Sequence, residues 1–74
     1  MSNYYTENEI SGNDYARDLL ALSCDDELNP TEAEKAELLD LLTDDQYLYA
    51  KGFDMANGDH EMIIEEAIEY IENL

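Results

Sequence analysis

The chain has 74 residues and 8.5 kDa, with 20 acidic residues against 3 basic ones and a formal net charge of −17. So few cations exclude a direct grip on nucleic acid or on anionic lipid, because both kinds of adhesion set Lys and Arg against phosphate. One short domain fits the length, near the limit at which a single apolar core suffices without staples.

Apolar content of 45% is enough to close a core despite the charge. The charge is spread along the chain rather than gathered into a tail. Residues 1–30 hold seven acids and Arg17, residues 31–58 seven acids with Lys35 and Lys51, and residues 59–74 six acids and no base. The folded body itself is therefore expected to be negative on most sides. Cys24 has no partner for an internal disulfide. No run approaches the ~18 apolar residues of a membrane span, and no basic-then-apolar leader opens the chain. The expectation is a soluble, cytoplasmic protein.

Residues 1–12, with Tyr4, Tyr5, Glu7 and Glu9, show no sustained period and read as a mobile arm; residues 13–74 read as a single acidic helical domain. From Asp14 to Cys24, Tyr15, Ala16, Leu19, Leu20 and Leu22 fall within about 160° of arc at 100° per residue, which predicts a first amphipathic helix. Asn29-Pro30-Thr31-Glu32 offers a cap, a proline at the first helical position and a glutamate three residues after the cap. A second helix is predicted from about Pro30 to Leu42, with Ala36, Leu38, Leu39 and Leu42 inward. Thr43-Asp44-Asp45-Gln46 repeats the capping pattern and predicts a third helix from Asp44 to near Asn57-Gly58. Its apolar residues point all ways, Tyr47, Leu48 and Met55 to one side and Tyr49, Phe53 and Ala56 to the other, as in a helix that is central or faces a partner.

Asp59 is placed to cap a fourth helix reaching Leu74, with Met62, Ile63, Ile64, Ala67, Ile68, Tyr70, Ile71 and Leu74 on one broad face and Glu61, Glu65, Glu66, Glu69 and Glu72 on the other. The fold class expected is all-α, a compact bundle of about four short helices.

No catalytic, cofactor or metal motif is present. Aligning Gly58 with the invariant glycine of an EF-hand puts Phe53 and Met55 where acidic ligands belong, and His60 and Cys24 stand far apart in sequence. Neither Cys24 nor Ser23 has a histidine nearby in sequence to activate it. The expectation is a protein that is not an enzyme and takes no cofactor.

Two acidic rows carry the functional signal. Glu37, Asp40 and Asp44 fall within about 60° of one another if the second helix continues through the cap, and Glu65, Glu69 and Glu72 do the same on the fourth. Such carboxylates recur every ~4.5–6 Å along a helix axis, on the scale of the phosphates of a nucleic acid. No Lys or Arg follows Lys51 to offset them, and like charges at this spacing cost stability. Tyr5, Tyr47 and Tyr49 are candidate short-range contacts, since tyrosine supplies area and a hydrogen bond at low entropic cost.

The ending Glu66-Ala67-Ile68-Glu69-Tyr70-Ile71 is similar to the last helix of acyl carrier proteins. The chain has serine only at 2, 11 and 23 and lacks the Asp-Ser-Leu motif that receives phosphopantetheine in that family. As a whole the small, acidic, Tyr-bearing helical chain resembles the DNA-mimic inhibitors of bacteriophages and mobile elements, the antirestriction and anti-CRISPR proteins. That resemblance implies a partner that is a basic nucleic-acid-binding protein or complex of host defence, met in the host cytoplasm. The chain also resembles bacterial immunity proteins, which implies an inhibitor of one basic nuclease toxin. A third reading is an acidic dimerisation or regulatory module, a homodimer through the apolar third helix, with charge serving only solubility.

Overall fold

Ser11 opens the first helix: its hydroxyl accepts the Asp14 N–H at 3.1 Å, satisfying a donor that no turn precedes. The computed structural model describes residues 11–74, and among them the chain forms α1 (Gly12–Ser23), α2 (Glu32–Leu42), α3 (Asp45–Ala50) and α4 (Gly58–Glu72), with no strand. The all-α bundle expected from the sequence is the fold observed. Of the arm expected over residues 1–12, residues 1–10 lie outside the described residues, while Ser11 caps α1 and Gly12 is its first residue.

The caps fall at other residues than the sequence pattern suggested. Thr31, not Asn29, caps α2 in a reciprocal box, Glu34 N–H to Thr31 Oγ1 at 3.1 Å and Thr31 N–H to Glu34 Oε1 at 2.8 Å. Asn29 is held in the preceding turn, where the Asp26 carboxylate accepts the Leu28 N–H at 3.0 Å and Asn29 donates through both its side chain and its backbone to Asp26. Thr43 turns its hydroxyl back onto the Leu39 and Asp40 carbonyls, so Asp44 caps α3 instead, accepting from Gln46 and Tyr47 N–H. Asn57, not Asp59, caps α4.

The third helix is the largest departure. It ends after six residues, because Gly52 adopts φ 96° and closes a Schellman turn. Gly52 N–H donates to the Tyr49 carbonyl at 3.0 Å and Phe53 N–H to the Leu48 carbonyl at 2.9 Å. Phe53 and Leu48, the residues that this turn brings together, are both buried. Residues 53–57 then run as a turn pinned by His60, whose Nδ1 accepts the Asp54 N–H at 2.8 Å.

One apolar cluster gathers Tyr15, Ala16, Leu19 and Leu20 of α1, Leu38 and Leu42 of α2, Leu48 of α3, Phe53, and Ile64, Ala67 and Ile71 of α4. The Tyr15 and Phe53 rings lie 5.0 Å apart, and His60 meets Phe53 edge-on. Four residues expected inside are exposed: Leu22 at the trailing edge of the α1 arc, Ala36, Met62 and Leu74. No helix among the described residues is long and apolar enough to cross a membrane.

The main packing partner of α1 is α4, and Gly12 sets their separation. Its N–H donates to Glu66 Oε1 at 3.1 Å. A Cβ there would stand 2.3 Å from the Glu66 Cβ and 2.4 Å from the Ile63 carbonyl oxygen, a distance no side chain tolerates. Gly12→Ala is therefore expected to lose about 1–3 kcal/mol, whereas Gly58→Ala, with nothing within 4 Å of the new methyl, should be neutral or stabilising. Thermal melts of the two variants check this, and equal effects would mean that the crossing has slack.

Candidate partner-binding surface

Helix α4 presents its outer face as a continuous acidic strip. Glu65, Glu69 and Glu72 are exposed, and together with Met62, Glu66 and Ile68 they border a shallow hollow of about 370 Å³. The first of these carboxylates to be accounted for is Glu66, whose Oε1 is engaged by the Gly12 N–H of α1. The carboxylates of Glu65, Glu69 and Glu72 accept no hydrogen bond and meet no cation among the described residues. The few bases lie elsewhere: Arg17 pairs with Asp14 at 3.0 Å, and Lys51 Nζ stands 5.6 Å over the Tyr47 ring.

The other predicted row does not form as a continuous feature. Glu37 and Asp40 are exposed on α2, but the helix ends at Leu42, and the carboxylate of Asp44 is turned onto the first N–H groups of α3. The row expected from Glu37 to Asp44 is thus a pair followed by a capping residue. Tyr47 is half-buried and Tyr49 is 80% exposed beside a second hollow lined by Ala50, Gly52, Phe53 and Asp54. Tyr5 lies outside the described residues. Because α3 stops at Ala50, the helix expected to be apolar all round offers Tyr49 alone as a large exposed apolar side chain.

Chemistry of other kinds finds little to use. Among the described residues no group of three or more His, Cys, Asp and Glu is arranged to hold a metal ion. His60 is occupied as the acceptor for Asp54 and as an edge partner of Phe53. Cys24, the α1 C-cap, is half-buried, and burial pushes its thiol above the ordinary range; Glu34, through its charge and a hydrogen bond from the thiol, and then Asp25 and Glu37 push the same way.

Three features of this surface were missed by pattern reading. The exposure of Met62 depends on where α1 and α2 lie against α4, which helical period alone does not fix. The use of Glu66 as a distant acceptor for α1 had a usable signal in Gly12, a glycine just after a capping serine. The Asp54–His60 link spans a turn that the sequence reading had placed inside a helix. Comparison of the chain with known protein families, with curated proteins and with solved structures finds no match.

A raised thiol pKa lowers the thiolate fraction near neutral pH, and thiolate is the nucleophile. Cys24 should alkylate with iodoacetamide at pH 8 several-fold more slowly than free cysteine, and Glu34→Gln should speed it. A rate matching that of free cysteine would contradict the environment described.

Proposed function

We propose that this chain is a non-enzymatic inhibitor that acts as a DNA mimic, blocking the cationic nucleic-acid-binding site of a host defence complex of anti-CRISPR or antirestriction type in the host cytoplasm. The observation that carries this reading is the outer face of α4, where Glu65, Glu69 and Glu72 project with no compensating cation among the described residues. At 1.5 Å rise per residue they step along the helix by ~6 and ~4.5 Å, a spacing on the scale of duplex charge.

The placement is costly to the fold. The last turn of α4 contains no base, yet it carries Glu69 and Glu72 where the negative end of the helix dipole disfavours anions. Their mutual repulsion at short helical spacing adds to that cost. Solubility alone would be served as well by acids in first turns, where Asp14, Glu32, Glu34, Asp45, Asp59 and Glu61 already sit favourably. A cationic groove that normally neutralises phosphates would accept the α4 row in their place, drawn by the same long-range attraction. Tyr49 and the α2 acids Glu37 and Asp40 are further contacts for such a groove.

Two readouts test the reading. Tagged protein captured on a column of bacterial lysate should release a nucleic-acid-binding protein or complex when duplex DNA is passed over it, and release it also as salt rises. Glu65→Lys/Glu69→Lys should abolish that capture with helical content unchanged by circular dichroism. In parallel, Glu69→Lys should raise the melting temperature by a few degrees, because the substitution relieves repulsion and complements the dipole. A partner that survives high salt and ignores DNA, or a Glu69→Lys variant less stable than the parent, would overturn the proposal. Capture of one basic nuclease toxin as sole partner would replace the host-defence target with an immunity-type one.

A further inference from the structure

Met62 stands at the N-terminal end of the acidic strip of α4, one turn before Glu65 and Glu66 and within the strip's angular span. At 100° per residue Glu69 falls ~20° to one side of it, Glu66 ~40° to the other and Glu65 ~60° away. The side chain is 56% exposed. With half-buried Ile68 it supplies apolar surface to the hollow that Glu65, Glu66, Glu69 and Glu72 enclose. A pure imitation of phosphate has no use for a thioether there.

We propose that this groove seats an amphipathic basic helix of the partner protein, one apolar side chain resting on Met62 while neighbouring Lys or Arg residues reach Glu65, Glu69 and Glu72. The proposal rests on the reading of α4 as the inhibitory face and names the chemistry that the face recognises. Charge complementarity fixes the class of occupant. Carboxylates around one thioether repel an acidic helix, an anionic lipid surface and a second copy of a chain whose own net charge is −17. The wall formed by Glu66 is pre-set, because its carboxylate is tied to α1 through Gly12. The other three carboxylates carry no internal hydrogen bond and are free to turn toward incoming cations. Methionine suits this place, being unbranched and polarisable enough to adapt to either an aliphatic or an aromatic side chain. An apolar contact at one end of a charged strip also supplies what charge alone lacks, discrimination among basic surfaces.

The test uses two synthetic helical peptides of identical lysine content, one with a leucine stripe at i, i+4 spacing and the other with glutamine at those positions, titrated into the full chain by fluorescence anisotropy. The leucine peptide should bind about tenfold more tightly, the equivalent of 1.4 kcal/mol. Met62→Gln should erase that advantage while leaving the salt dependence and the circular dichroism spectrum unchanged. Glu65→Gln/Glu69→Gln should weaken both peptides alike and flatten the salt dependence. Equal binding of the two peptides to the parent chain, or an advantage that survives Met62→Gln, overturns the proposal. The mimicry reading fails on a different readout, a captured partner that duplex DNA does not displace, so either can fall while the other stands.

Discussion

At the crossing of α1 and α4 the Gly12 N–H donates to Glu66 Oε1 at 3.1 Å, and the Ile63 carbonyl lies so close that no Cβ fits between. That contact fixes both the separation and the register of the main helix pair. With the first turn of α1 anchored, Tyr15, Ala16, Leu19 and Leu20 are committed to the interior, and Ile64, Ala67 and Ile71 of α4 are committed to the same cluster. The fully buried alanines, Ala16 and Ala67, keep the facing surfaces of the two helices low. The contact also places a carboxylate at the positive end of the α1 dipole, one of the few positions in so acidic a chain where a further negative charge stabilises. What α4 turns outward follows directly: once its inner face is given to α1 and α2, Met62, Glu65, Glu69 and Glu72 are left exposed among the described residues.

Much of this was legible in the sequence. The period of Tyr15, Ala16, Leu19 and Leu20 marks α1, the alternation of isoleucines and glutamates marks α4, and both faces appear as the spacing predicts except at their ends, where Leu22, Met62 and Leu74 are exposed. Helix ends were less legible, for a reason common to all of them. Asp, Asn, Ser and Thr are dense near each boundary, so several residues in each segment qualify as caps, and competing local hydrogen bonds select among them. Asn29 lost α2 to Thr31 because Asp26 held it in a turn; Thr43 lost α3 to Asp44 because its hydroxyl bent back on α2. The early end of α3 did have a sequence sign, Lys51-Gly52-Phe53, a glycine followed by an apolar residue able to pack on Leu48, and a period that seemed to continue through Phe53, Met55 and Ala56 concealed it. The acidic row on α4 was readable because it lies within one helix. The row on α2 was not, because it assumed a helix running through residue 43.

The carboxylates divide by what they do for the fold. Asp26, Glu34, Asp44, Asp54 and Glu66 accept backbone N–H groups at caps, turns and the helix crossing, and Asp14 holds Arg17. Each replaces a bond to water with a bond that orders the chain, a modest but favourable exchange. In that group the acidity of the protein is explained by structure alone. Glu65, Glu69 and Glu72 belong to the other group. They hold nothing in place, they stand within reach of one another's repulsion, and two of them sit at the end of a helix whose dipole opposes them.

A chain of this size has little stability in reserve, since a short sequence buries a small fraction of its surface and a few kcal/mol separate folded from unfolded. Carboxylates that subtract from so narrow a margin, arranged along one face and framing an exposed methionine, are more economically understood as an external surface with a use than as solvation. Solvation would be satisfied by charge of either sign and in any arrangement, and an interspersed lysine on α4 would serve it while steadying the helix. What distinguishes the observed face is uniform sign together with an exposed apolar side chain at its N-terminal end. Uniform sign draws any basic surface from a distance, and the apolar side chain rewards only one that brings a match. In the proposed function, long-range attraction and short-range selection reside on the same helix, and the contact of Gly12 with Glu66 is what holds that helix against α1.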